Sequence, residues 1–241
     1  MMADIFIHRP AGLGTVQLLT DLWFHSLASE LVQDKYISKV HLHPWLSPWM
    51  AMGRNVAIRE ALKAGADYLL MLDPDMVPDI YVGRHDAARR FWSSSLMFLR
   101  NNPSGIVVAP YVGPRPIRNV HIWKADPSGP TRYTHDECRK LVANPQIEQV
   151  AAGGTGLMLM DCKALEKLTP PYFEDHYRNG DHTELKLSFD IAFCAKCADS
   201  EVPIWCNWYA FAGHFQPTLL ACPGFDFENP DGTIPMYVDN G

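Results

Sequence analysis

Two carboxylates one residue apart, Asp73 and Asp75, directly follow an apolar run at residues 67–72, with Pro74 stiffening the link between them. Acids at the carboxyl end of a strand stand where open α/β sheets bind their ligands. Hard oxygen donors of this kind suit Mg²⁺ or Mn²⁺, ions that complete their shells with substrate phosphates. The chemistry such a loop can serve is neutralisation of a phosphate leaving group by a bridging divalent cation. The alternative reading of the same residues is a solvated acidic turn, since Asp and Pro are ordinary turn formers.

A loop that does chemistry needs rigid elements on either side. Residues 54–64 have helical spacing through Val56, Ile58, Ala61 and Leu62, and Gly65 is a helix stop. Ahead of them lie an Ile- and Phe-rich strand at 3–8, a helix at 15–31 and a strand at 39–43. Behind the acids the pattern predicts a helix at 86–100, a strand at 105–110 and a Pro-rich, basic surface excursion at 114–130. Gly153-Gly154-Thr155-Gly156 opens a strand that ends near Asp161, followed by helices at 161–167 and 189–198 and a strand at 203–208. Strands alternating with helices through short connections imply an α/β fold: one domain with a mostly parallel central sheet flanked by helices.

The 241 residues carry a formal charge of −6, which argues against a broad basic nucleic-acid surface. No run approaches the roughly 18 apolar residues that span a bilayer. Residues 1–9 read as a first strand rather than a secretory signal. The expectation is therefore a cytoplasmic protein with no membrane span. Its cysteines, Cys138, Cys162, Cys194, Cys197, Cys206 and Cys222, are expected to be reduced.

Taken in order, several segments resemble the nucleotide-sugar glycosyltransferases of the GT-A fold, family-2-like in character. They are Arg54-Asn55-Val56-Ala57-Ile58, Ala66-Asp67-Tyr68-Leu69-Leu70-Met71-Leu72-Asp73-Pro74-Asp75, Gly153-Gly154-Thr155-Gly156, Phe189-Asp190-Ile191-Ala192-Phe193-Cys194 and Ala212-Gly213-His214. The resemblance implies a GT-A-like domain over 1–215, with a nucleotide-sugar-binding half at 1–110 and an acceptor half at 111–215. Residues 216–241 are then a C-terminal tail. It implies Asp73, Asp75 and His214 as holders of Mn²⁺ or Mg²⁺, and a nucleoside-diphosphate sugar, UDP-linked by first expectation, as donor. Arg54, Asn55, Asp73 and Gly154 would border that donor, with Arg54 and Asn55 set against the nucleotide or the first Asp of the metal loop.

Asp190 is implied as the base for a glycan or other hydroxyl-bearing acceptor, with inversion at the sugar. Phe189 stands where the family has the first acid of a Glu-Asp pair, which makes Asp181 and Glu184 rivals for that role. The ending His8-Arg9-Pro10 also departs from the family's first strand, at the contacts to the nucleotide base.

Other readings attach to particular residues. Gly12-Leu13-Gly14-Thr15 invites comparison with sugar nucleotidyltransferases. Cys194-x-x-Cys197 with Cys206, His214 and Cys222 invites a zinc site, against two thiols simply buried on one helix face. A non-catalytic sugar- or nucleotide-binding module fits the missing acid before Asp190. Trp45, Trp49, Trp205 and Trp208 are sugar- or base-stacking candidates or core residues. Arg84, Arg89, Arg90, Arg115, Arg118, Lys124 and Arg132 are either a solvated surface or a seat for a phosphate-bearing acceptor, modified viral DNA included.

Overall fold

Neighbouring residues of the run after Asp67 point to opposite faces, and both sets are apolar. Leu69 and Met71 join one buried cluster, Leu70 and Leu72 another. The same division holds at Met158 and Met160 against Leu157 and Leu159, and at Phe6 against Ile5 and Ile7. Runs of this kind are strands covered on both sides.

The computed structural model describes residues 2–10, 18–45, 50–113, 120–180, 183–216 and 219–221. Its first half contains β1 (Ala3–Pro10), α1 (Leu18–Gln33), β2 (Ile37–Trp45), α2 (Met50–Lys63), β3 (Tyr68–Leu72), β4 (Met76–Val77), α3 (Phe91–Asn101) and β5 (Ile106–Val108). Next come β6 (Ile122–Lys124), β7 (Thr131–Arg132), α4 (His135–Ala143), β8 (Ile147–Val150), β9 (Ala152–Gly153), β10 (Leu157–Asp161) and α5 (Cys162–Leu165). The last are β11 (His176–Tyr177), β12 (Leu185–Leu187), α6 (Phe189–Asp199), β13 (Ile204–Asn207), β14 (Gly213–Gln216) and β15 (Leu219–Ala221).

The central sheet has seven strands in the order β2-β1-β3-β10-β5-β13-β8. Five run parallel, while β10 and β8 are reversed. Helices α2, α4, α5 and α6 cover one face and α1 and α3 the other. The expected α/β architecture, a mostly parallel sheet flanked by helices, is the one observed. The expected division at 215 falls inside β14, and residues 222–241 lie outside the described residues.

Local differences have local causes. α3 starts at Phe91, later than the spacing suggests, because the Arg89 guanidinium donates to the carbonyls of Asp86 and Ala88 and holds a turn there. Asp79 then accepts the Phe91 N–H at 2.7 Å and the Trp23 indole N–H at 2.6 Å, capping α3 from a distance. The described part of the 114–130 stretch is not a plain surface excursion, since Val120 and Ile122 are buried and β6 forms there. No element is expected over 131–150, yet Thr134 and Glu137 make a capping box at the head of α4.

His8 on β1 is 1% exposed, with its Nδ1 3.0 Å from Nδ1 of His43 on β2. Burial, then the neighbouring His43 and Arg54 charges, push its pKa down to about 3. A histidine so depressed stays neutral when folded, so its contribution is intact above the unfolded pKa of 6.5 and is lost as pH falls toward 3. Between pH 6.5 and 5 the loss is about 2 kcal/mol. Urea unfolding at those two pH values checks this, and the difference should shrink in His8→Leu.

Among the described residues no helix is long and apolar enough to cross a membrane. Cys138, Cys162, Cys194, Cys197 and Cys206 are buried and unpaired in disulfides, while Cys222 lies outside the described residues.

Candidate functional site

Strand β3 delivers the acids to the carboxyl end of the sheet, and a short sheet outside the main one completes the arrangement. β4 pairs antiparallel with β14, placing Met76 opposite His214 and Val77 opposite Gly213. His214 Nε2 consequently lies 3.2 Å from Asp75 Oδ2, and His214 Nδ1 lies 3.1 Å from the Val112 carbonyl. A carbonyl only accepts, so Nδ1 carries hydrogen and Nε2 is the atom turned to Asp75. Burial disfavours the charged imidazole, but the hydrogen bond and charge of Asp75, the Val112 carbonyl and the Asp73 charge together raise its pKa.

Asp73 faces another partner. α2 buries Gly53, Arg54, Ala57, Ile58 and Ala61, so a guanidinium sits on the apolar stripe of the helix at 1% exposure. Arg54 Nη2 lies 2.7 and 2.6 Å from the two Asp73 oxygens and 3.4 Å from the Thr155 carbonyl. Its guanidinium lies over the rings of Phe189 at 4.9 Å and Phe173 at 5.6 Å. Burial raises the Asp73 pKa, Arg54 pulls it down and the Asp75 charge raises it, leaving it above the ordinary carboxylate range. Of the two roles open to Arg54, the structure displays the contact to the first Asp.

Asn55 is turned to a different partner from Asp73. Its amide donates to the Phe173 carbonyl at 2.7 Å and accepts from the N–H groups of Tyr172 and Phe173 at 2.7 and 2.9 Å.

The glycine loop reaches the same corner because β10 runs backwards between β3 and β5. The Asp73 N–H donates to the Gly156 carbonyl at 2.8 Å. A Cβ on Gly154 would stand 2.1 Å from the Tyr111 hydroxyl oxygen, and one on Gly153 2.6 Å from Val108 Cγ2. The close approach that glycine permits here is therefore made by Tyr111 and Val108. Tyr111 also stacks on His121, with ring centroids 5.2 Å apart and planes 13° apart, and meets His214 edge-on at 5.5 Å. Backbone bonds tie the three segments: His121 N–H to Tyr111 carbonyl at 2.9 Å, and Gly154 N–H to His121 carbonyl at 2.7 Å.

Gly154→Ala should destabilise the chain by about 1–3 kcal/mol, the usual cost of overpacking. The double variant with Tyr111→Ala, which vacates the space, should lose less than the sum of the two single losses. Thermal unfolding of the three variants measures this.

Asp190 lies in the first turn of α6. Its Oδ1 accepts from the Ser188 hydroxyl and from the Ile191 N–H at 3.0 Å. Its charge reaches both Tyr111 and His121, so it belongs to the same neighbourhood. Burial and then the Asp73 and Asp190 charges push the Tyr111 phenol upward. Burial and Arg132 lower the His121 pKa, opposed by Asp190. Sequence reading passes over Tyr111 and His121, because nothing in their local spacing separates them from other core rings.

The remaining candidates have other partners or lie outside the described residues. Glu184 is exposed and paired with Arg178 at 3.0 Å, while Asp181 lies outside the described residues. Trp208 is fully buried and donates to Glu148 at 2.9 Å, and Trp205 packs on Phe98 at 5.1 Å. Trp49, the Trp45 side chain and the 12–15 loop are outside the described residues. In the basic stretch Arg90 pairs with Glu30, Lys124 with Glu137, and Arg132 lies over Trp123 at 4.9 Å. Arg115 and Arg118 are outside the described residues. Cys194 and Cys197 are buried on α6, with the Cys194 thiol pushed up to about 12 by burial. Among the described residues no group of three or more His, Cys, Asp or Glu side chains is arranged to hold a metal ion.

No family model matches the sequence, and no curated protein matches it. Among solved structures the chain is similar to A197 from STIV, with a TM-score of 0.59 at 18% identity over 99% of this chain and 96% of that one. At that identity the likeness speaks for the fold alone. Looser overlap is found with GalNAc-T7 solved with UDP, GalNAc and Mn²⁺, at TM-score 0.46 and 10% identity over 89% of this chain and 44% of that one. A mannose-1-phosphate geranyltransferase from Thermus thermophilus gives 0.37 and 16% over 71% and 61%. Neither of these two overlaps is close enough to bear on activity.

Proposed function

We propose that this chain is a divalent-cation-dependent glycosyltransferase that moves a sugar from a nucleoside-diphosphate sugar to an acceptor hydroxyl. The observation that carries this reading is the Asp75–His214 pair at the carboxyl end of the sheet, with His214 Nε2 aimed by the bond from Nδ1 to Val112.

Two protein donors suit an ion that draws the rest of its shell from phosphate and water. An imidazole beside a carboxylate favours Mn²⁺ over Mg²⁺. Bound there, the cation would offset the charge that grows on the diphosphate as its bond to the anomeric carbon breaks. Asp73 acts by position. Fixed by Arg54, it holds the loop through its own N–H on Gly156. Asn55 holds the Tyr172–Phe173 backbone, which presents one of the rings beneath Arg54.

Asp190 is the base in this reading. Both of its hydrogen bonds among the described residues fall on Oδ1, which leaves Oδ2 to accept the proton of the attacking hydroxyl. A single displacement of this kind inverts the anomeric carbon.

The test is a thermal-shift panel of nucleoside diphosphates, UDP first, with and without Mn²⁺. A ligand at a hundred times its Kd adds about 2.7 kcal/mol, which raises Tm by roughly 5–10 °C in a chain of this size. A shift that needs nucleotide and cation together supports the reading, and no shift with any of them sinks it. Pyrophosphate release from a sugar phosphate and a nucleoside triphosphate would instead select a nucleotidyltransferase.

A further inference from the structure

Beside α6 runs a groove of about 900 Å³ that the sheet and core leave open. One wall is the helix stripe Ile191, Ala195 and Ala198, spaced i, i+4, i+7, of which the two alanines are exposed. Trp123, Val150 and Ile204 also line it, the last two being buried. Among the described lining residues the one charged side chain is Asp199, at the end of α6. Small residues along the helix keep the channel from being plugged from within.

One end of the groove adjoins the candidate site, since Cys194, which also lines it, has its thiol 3.5 Å from the Gly153 carbonyl. Ile191 is the residue after Asp190, and Trp123 lies two residues past His121, whose carbonyl holds Gly154. The volume falls within the range of small-molecule pockets, about 300–1,000 Å³. The stripe from Ile191 to Ala198 is about 10 Å long, the reach of an extended chain of roughly eight carbons.

We propose that this groove takes the apolar chain of the acceptor, a single-chain alkyl or prenyl amphiphile whose hydroxyl head stands at Asp190. The inference rests on the reading of Asp190 as base and adds the acceptor class that the reading leaves open. A free sugar would leave the apolar length of this channel unfilled.

Calorimetric titration of the full chain with n-octyl β-D-glucoside below its micelle concentration, against methyl β-D-glucoside, tests the proposal. Each buried methylene multiplies affinity about fourfold, so burial of even two predicts octyl binding more than about tenfold tighter. Ala198→Trp, or Ala195→Trp should the first variant fold poorly, fills the groove and should erase the preference. The thermal shift with UDP and Mn²⁺ should be unchanged in either variant.

Equal binding of the two glucosides overturns the proposal, as does an octyl preference that survives both tryptophans. A preference that appears only after residues 222–241 are removed, or only on dilution, also overturns it, because the groove then belongs to the chain's own C-terminal segment or to a second copy. Failure of the donor-site reading has its own signature: no shift with UDP and Mn²⁺ whatever the octyl result.

Discussion

Asp75→Ala removes the cation-dependent part of nucleotide binding and lowers turnover at least about a hundredfold, while the fold stays intact. The functional loss follows from the position of the carboxylate, which with His214 supplies the protein's share of the proposed ion site. Deleting one preorganised electrostatic stabiliser of a developing charge typically costs a factor of about 10²–10³. The structural tolerance follows from exposure: the Asp75 side chain is 45% accessible, and its one ion pair among the described residues is with His214. With Asp75 this open to solvent and His214 19% accessible, the pair contributes on the order of 1 kcal/mol, so Tm should move by roughly 2–4 °C. His214→Ala should follow the same pattern with a smaller functional loss. Thermal shift with UDP and Mn²⁺, run beside ligand-free unfolding, separates the two effects. An Asp75→Ala chain that keeps its full Mn²⁺-dependent shift would remove the basis for the cation assignment.

Arg54→Met should do the reverse, costing stability first. The guanidinium is 2% exposed at its side chain and covers a carboxylate that is itself 18% exposed. Removing one partner of a buried pair strands the other charge and typically costs about 3–5 kcal/mol. At about 2–4 °C per kcal/mol that is a fall in Tm of roughly 6–20 °C. Asp73→Asn in the same background should recover part of the loss, since no buried charge then lacks a partner. A double-mutant cycle by urea unfolding reads this directly, and an Arg54→Met loss below about 1 kcal/mol would mean that water already reaches Asp73.

The elements that carry the acids were legible because local patterns dictate them. The 67–72 run, the Gly65 stop and the spacing of Ile58 and Ala61 place β3 and α2 within a few residues of where they lie. The reversal of β10 was not legible. Its residues Leu157–Asp161 are continuously apolar but for the last, a pattern that a parallel or an antiparallel central strand shows equally. The Arg54–Asp73 contact was one of two roles open to Arg54, and its burial emerges only when Arg54 is aligned with Ala57, Ile58 and Ala61 on one stripe. Tyr111 escaped notice for a related reason. Its effect is to forbid a side chain at Gly154, far along the chain, and no local signal records a steric exclusion at that range. The Thr134-x-x-Glu137 cap that heads α4 was passed over, although its spacing is a local signal.

The partner of Asp75 arrives 139 residues later, on a strand that pairs with β4 and β15 rather than with the central sheet. A nascent chain still being translated at Ala212 already holds all seven strands of that sheet and the apolar residues that cover it. It has no imidazole to set against the acids. On the proposed function, the scaffold and the ion site thus draw on different parts of the message, and the ion site is the last to be complete. On that same proposed function, truncation just before Gly213 should cost Mn²⁺-dependent nucleotide binding more than it costs resistance to proteolysis, a consequence of where one short hairpin lies in the message.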